Sequence, residues 1–352
     1  MLEQAGLQHL EHLYRQVRQR TIALVEPLPP AQLYQQVHPE LSPLGWHFGH
    51  IAYTEALWLL GEPLPYPELN RIFRVDGYAK AQRAAVLPPP GLLQEYVHGI
   101  REKVLAVLPT LAPERERLWY WVIQHEMQHQ ETMTVIRTLQ GTLLPSLAEM
   151  ATHSTTLNIP GGVVRCGSEG VQALDNERPG YPQEVAGFQI RATPVTQGEF
   201  AEFIAAGGYQ DPRWWSQAGW QWLQRENVTQ PLYWQSQYQN RPVCGISYYE
   251  ASAYCRFIGK RLPRESEWEW AAQQGLPQRG QVWEWTSSWF SPYPNFTPYP
   301  YTGYSASYFD CQHKVMRGGS WATHDELKRP SFRNWYQPHI RQMFTGLRWV
   351  AD

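Results

Sequence analysis

From the start of the chain to about residue 150, apolar positions recur at intervals of three and four, the period of a helix that buries one face. Four stretches carry this pattern: "LQHLEHLYRQVRQRTIALVEPL" (7–28), "LGWHFGHIAYTEALWLLG" (44–61), "GLLQEYVHGIREKVLAVLPTL" (91–111) and "RERLWYWVIQHEMQHQETMTVIRTLQG" (115–141). Proline clusters at 27–30 and 88–90 mark two of the breaks, since proline lacks a backbone N–H and clashes with a preceding helical turn. Four long helices joined in this way predict an up-and-down four-helix bundle, whose interior is a common place for metal sites made from facing helices.

After about residue 155 the pattern changes to short strands, Gly and Pro turns and Trp-containing segments, as in "LNIPGGVVRCGSEG" and "VMRGGSWAT". Only 197–207 and 247–259 read as helices there. The expected fold is therefore α + (α+β): a helical bundle over 1–150 and an irregular α+β domain over 156–352, held by aromatic packing more than by regular sheet. "MATHSTT" (150–156) is the expected linker. No internal repeat or low-complexity tract interrupts this division.

Length agrees, because 352 residues exceed the usual size of one compact domain. A formal net charge of −2 leaves no basic surplus for phosphate-backbone binding, so no nucleic-acid partner is expected. The 17 Trp and 20 Tyr favour rigid pockets, since rings with a polar tip suit them better than plain cores, and point to a small-molecule site. The polar amphipathic start and the lack of any run of eighteen apolar residues predict a soluble, cytoplasmic protein with no membrane partner. Cys166, Cys244, Cys255 and Cys311 lie far apart without C-x-x-C spacing, and reduced, mostly buried thiols are expected.

The fourth helical stretch contains His125-Glu126-x-x-His129, the zinc-peptidase pattern in which two histidines hold the metal and the glutamate activates water. At about 100° per residue, His125 and His129 fall about 40° apart on one face and can share a metal. Glu126 and Gln128 flank that face at about 80° from its centre, whereas Glu131 points largely away and reads as a surface or supporting residue. Downstream, only Glu149 is available as a third ligand before the fold changes. Upstream, "WHFGH" supplies His47 and His50 on another bundle helix, about 60° apart, so that both are not expected to point equally into the core. Three neutral imidazoles suit Zn(II), Cu or Fe(II).

These segments resemble the ergothioneine-type sulfoxide synthases. The resemblance rests on "SPLGWHFGHIAYTEALWLL" and "HEMQHQET" in the bundle, and on "ALDNERPGYP", "PVTQGEFAEFIAAGGY", "RLPRESEWEWAA", "VWEWTSSWF", "MRGGSWAT" and "RPSFRNWYQPHIRQMFTGLR" in the second half. It covers nearly the whole chain, in matching order. It implies a DinB-like four-helix bundle followed by a C-type-lectin-like domain of the formylglycine-generating-enzyme type. It also implies a non-heme iron(II) enzyme that uses O2 to join a thiol sulfur, from cysteine or γ-glutamylcysteine, to C2 of the hercynine imidazole as a sulfoxide.

Matched motif by motif, the resemblance makes His50, His125 and His129 the iron ligands and leaves His47 without a bond to the metal. It puts Gln128 against the trimethylammonium-bearing acceptor, and Trp and Tyr faces suit such a cation. The segment "PYPYTGYSASYF" resembles the one that carries the catalytic tyrosine, with Tyr301 and Tyr304 as the two candidates. Asn334 and Trp335 match a substrate-contacting run, while Tyr336 stands where many members have an aspartate. Lys80 and Arg83 lie in the region where members place basic residues for the donor's carboxylates; ordinary surface charge is the other reading.

Four rival readings follow from the same residues. A selenoneine synthase would keep the scaffold and take selenium from a selenosugar. Formylglycine generation would need a copper-binding cysteine pair, for which the spacing offers no match. A DinB-like bundle can also hold a metal without turnover, as a binding protein. A zinc peptidase would use Glu126 as its base.

Overall fold

The structure, a computed structural model, describes residues 4–150 and 155–352. The expected linker falls largely on 151–154, outside the described residues. Two compact units divide the chain, Met1–Leu144 and Pro145–Asp352. The division comes earlier than the expected 150/156 boundary, because residues beyond 144 already bond within the second unit: Ala148 N donates to Gln281 Oε1 at 2.9 Å and Met150 N to Asn240 O at 2.8 Å.

In the first unit the four long helices are α1 (Gln4–Val25), α3 (Leu44–Glu55), α6 (Pro90–Val107) and α7 (Glu116–Leu139). Short helices α2 (Pro30–Tyr34), α4 (Pro67–Phe73) and α5 (Arg83–Val86) fill the connections. α2 and α6 each begin on a proline of the two clusters, where the missing N–H has no helical partner to lose. α3 is the central helix: it packs against α1, α2, α4, α6 and α7, and eleven of its twelve residues are buried. Its last turn loosens into a π-helix over Ala56–Leu60, an irregularity common beside functional sites.

One glycine lets α4 approach α3 closely. A Cβ on Gly49 would lie 2.1 Å from the Phe73 ring, so the absence of a side chain allows that ring to sit against the helix backbone. Phe73 is fully buried and stacks on Tyr96 of α6, ring centroids 5.3 Å apart. Burial of this size contributes about 1.5–3 kcal/mol and fixes the end of α4, including the Phe73 carbonyl, over the middle of α3.

The second unit has strands β1 (Thr156–Ile159), β2 (Gly162–Cys166), β3 (Tyr181–Val185), β4 (Phe188–Arg191), β5 (Trp283–Trp289), β6 (Lys314–Arg317), β7 (Asn334–Tyr336), β8 (Thr345–Gly346) and β9 (Val350–Ala351). They form three small sheets: β1-β4-β9, the hairpin β2-β3, and β7-β6-β5-β8, in which only β5 and β8 run parallel. A core of Ile159, Val164, Phe188, Ile190, Trp268 and Val350 joins the first two sheets to a helix.

Helices α8 (Gln197–Ala205) and α10 (Tyr248–Phe257) fall where expected, but α9 (Gln217–Glu226) and α11 (Glu265–Gln273) are additional. In α11 the run "ESEWEW" alternates polar and aromatic residues and imitates a strand. Two things make it a helix: a local cap, in which Arg264 N donates to Glu267 Oε2 at its start, and a tertiary bond, in which buried Glu269 accepts from Arg317 Nη2 at 2.7 Å. α9 did carry local signals, a Ser216 cap that accepts from Gly219 N and a left-handed Asn227 at its end. Among the described residues no helix is long and apolar enough to cross a membrane.

Candidate metal centre

His50 projects from α3, and His125 and His129 from successive turns of α7. One nitrogen from each ring lies within 4.8 Å of the other two. His125 Nε2 and His129 Nε2 are 3.1 Å apart. Two nitrogens each about 2.1 Å from one metal and subtending about 90° would lie about 3.0 Å apart, so the spacing fits shared coordination.

The His50 ring is held by an edge contact and a face contact. Its Nδ1 lies 2.7 Å from Phe73 O; a carbonyl only accepts, so Nδ1 donates and Nε2 keeps its lone pair free. Trp46 stacks on the ring at 4.5 Å and 12°, and the Arg83 guanidinium lies over the Trp46 indole at 3.7 Å. Burial lowers the His50 pKa to about 4, with the Phe73 bond acting in the opposite direction. Burial first, and then the neighbouring imidazoles, push His125 and His129 well below the ordinary histidine value. All three rings are therefore neutral at pH 7 and present lone pairs, as a metal requires.

Glu126 faces away from this cluster. Its Oε1 accepts from Arg18 Nε (2.9 Å) and Thr21 Oγ1 (2.6 Å), and its Oε2 from Arg18 Nη2 (3.1 Å) and Arg101 Nη2 (2.5 Å). The same two arginines bond Glu55, closing a buried network of two cations and two anions. Burial would raise the Glu126 pKa, but Arg18 and Arg101 outweigh it and hold the carboxylate at about 2. With its oxygens so engaged, Glu126 is not a water-activating base, and the peptidase role is not built. Arg18 was legible in retrospect as a charge within the apolar stripe of α1. Glu131, expected at the surface or in a supporting position, is buried.

His47 and His50 are both buried, because α3 is enclosed by its neighbours, but as expected they do not point equally inward: only His50 joins the converging group. His47 Nδ1 lies 2.8 Å from His129 Nδ1. Burial, and next the charges of His50, Arg83 and Lys80, bring its pKa to about 3. Gln128 is half-buried, and its Nε2 donates to Gln124 O at 3.2 Å along α7.

Lys80 and Arg83 have different surroundings. Lys80 is exposed and bonds Glu40 through both its backbone and carboxylate oxygens. Arg83 is buried and binds Tyr78 O, Ser42 Oγ and Val75 O, so it ties down the loop before α5 while covering Trp46.

In the second unit the structure gathers Tyr304 and Trp335. Trp335 stacks on Phe290 (4.2 Å, 6°) and meets Tyr304 edge-on at 6.1 Å, with Tyr308 at 5.6 Å. Tyr304 is only 8% exposed, whereas Tyr301 is 43% exposed. Asn334 Oδ1 accepts from Trp335 N, and Tyr336 sits opposite Lys314 in the β6–β7 pair. Sequence reasoning missed Phe290 and Tyr308, whose only signal was the density of aromatic residues. Cys166, Cys244 and Cys255 are buried and Cys311 exposed, all as free thiols.

Comparison with known proteins agrees with both units. Residues 13–133 match the DinB superfamily, and 143–279 and 275–352 match the Sulfatase-modifying factor enzyme 1-like domain. The second half is similar to the formylglycine-generating enzyme of Streptomyces coelicolor, 26% identical over 48% of this chain and 79% of that protein. Over nearly the full length the chain is similar to the hercynine oxygenases of Mycolicibacterium smegmatis (34% identical, 95% of this chain and 96% of that protein) and Mycobacterium tuberculosis (34%, 97% and 98%). With a bundle that brings three neutral histidines together, a second domain of the matching type, and this identity from end to end, the chain belongs to the hercynine oxygenase family.

Proposed function

We propose that this protein is a non-heme iron(II), O2-dependent synthase that joins the sulfur of cysteine or γ-glutamylcysteine to C2 of the hercynine imidazole, with sulfoxide formation. The observation that carries the reading is the convergence of His50, His125 and His129 as neutral imidazoles, in a chain that belongs to the hercynine oxygenase family. Iron(II) held by these nitrogens would supply one-electron chemistry with O2 and a position for a thiol sulfur.

The chain's own residues do the rest. The three histidines stay unprotonated at neutral pH, so no proton need leave before the metal binds. Gln128, one residue before His129, contacts the acceptor, and an aromatic face attracts its quaternary ammonium by roughly 0.5–2 kcal/mol per ring. Asn334 and Trp335 line the substrate pocket. Tyr304 or Tyr301 delivers a proton; Tyr304 is favoured by its shielding and by its contact with Trp335. Tyr336, in place of an acidic residue, changes the charge offered to the donor, and a selenosugar is the alternative donor that the same scaffold would accept. The free, mostly buried thiols fit a reducing, cytoplasmic setting.

The test is anaerobic loading with Fe(II), followed by O2, hercynine and one of cysteine, γ-glutamylcysteine or a selenosugar, with products read by mass spectrometry. A hercynine adduct that His125→Ala abolishes supports the assignment and names the donor. Absence of an adduct with all three donors overturns it. Replacing the acting tyrosine by Phe is expected to cost about 10²–10⁴ in rate, and replacing the other one little.

A further inference from the structure

His47 is not among the three converging ligands, yet it is buried and its Nδ1 faces His129 Nδ1 at 2.8 Å. Two neutral imidazoles this close must share one proton between those nitrogens, and only two arrangements exist. If His47 donates, His129 accepts at Nδ1 and must carry its own proton on Nε2, the atom 3.1 Å from His125 Nε2. That tautomer has no lone pair to offer the cluster. If His129 donates from Nδ1, its Nε2 is free to bind, and His47 carries its proton on Nε2.

The structure assigns His47 as a positioning residue: its Nδ1 accepts the Nδ1 proton of His129 and so keeps the metal-binding lone pair on His129 Nε2. One further observation agrees. His50 is fixed in the same tautomer by the same kind of bond, from Nδ1 to Phe73 O. His47 Nε2 is buried with no hydrogen-bond partner among the described residues, so it is unpaired in either arrangement and the choice falls to the bond with His129. Partners of this kind typically change metal affinity 10–100-fold.

The inference rests on the proposed metal site, and the experiment separates the two. Zn(II) binding to the full-length protein is measured by competition with a chromophoric chelator, for wild type, His125→Ala, His47→Asn and His47→Leu. Asn places an acceptor oxygen near the position of the Nδ1 atom; Leu has nearly the same shape and none. We expect His47→Asn to bind within about threefold of wild type and His47→Leu to lose 10–100-fold. If His47→Leu binds like wild type while His125→Ala does not, the positioning role is wrong and the metal site stands. If wild type binds no stoichiometric Zn(II), the metal site falls and the inference with it. Should His47→Leu fail to fold, ¹⁵N-histidine NMR of Zn(II)-loaded wild type decides: a proton on His47 Nε2 supports the assignment, and one on His47 Nδ1 overturns it.

Discussion

Glu126 occupies the second position of a zinc-peptidase pattern but serves as one corner of a buried charge network. Removing its charge leaves Arg18 and Arg101 facing Glu55 alone, and breaking a buried pair costs about 3–5 kcal/mol. Glu126→Gln is thus expected to lower stability by about that amount in urea denaturation; a peptidase base would instead lose hydrolysis with stability nearly intact. Lys314 offers a test by pH. Its Nζ donates to Ser287 O and sits 3.6 Å from the Trp289 ring, and burial lowers its pKa to about 8. The folded value lies below the unfolded one of about 10.4, so between the two the unfolded chain holds the extra proton and stability rises with pH. Below pH 8 the cost of burying the charge is fully present. An NMR titration of the Lys314 side chain should show a midpoint near 8, and the stabilisation gained by Lys314→Met should shrink as pH rises above that value.

Among the elements, α3 and α4 together orient His50. The motif "WHFGH" placed the histidines on a helix, but nothing in its periodicity told that α4 would press against Gly49 and aim a carbonyl at His50 Nδ1. Gly49→Ala puts a methyl group into the Phe73 ring, so the two helices must separate. We expect a loss of about 1–3 kcal/mol in thermal or urea unfolding, accompanied by weaker Zn(II) binding as the Phe73 carbonyl shifts. The additional helices of the second unit make the same point from the other side. Local signals existed for α9 in Ser216 and Asn227 and for the start of α11 in Glu267, whereas the alternating "ESEWEW" of α11 is held as a helix also because Glu269 and Trp268 find buried partners in Arg317 and Glu284.

At the scale of the whole molecule, the three histidines all belong to Met1–Leu144, and Tyr301, Tyr304, Asn334 and Trp335 all belong to Pro145–Asp352. A fragment of residues 1–144 is therefore expected to give a helical circular-dichroism spectrum and to bind one Zn(II), yet to form no hercynine adduct by mass spectrometry. By itself the sequence determined the four bundle helices, the change of fold near residue 150 and the His125/His129 pair, because hydrophobic period and one-turn ligand spacing are local properties, whereas His50 joins that pair only through the packing of two helices. Its order of motifs also determined the family. Only the tertiary structure decided the orientation of Glu126, which depends on arginines 25 and 108 residues away in sequence, and the contact of His47 with His129, which spans two helices. It also decided that Arg83 covers Trp46 and binds its own loop. Hydrogen bonds and charge pairing between distant segments have no period along a chain, so they become visible only once the helices are packed.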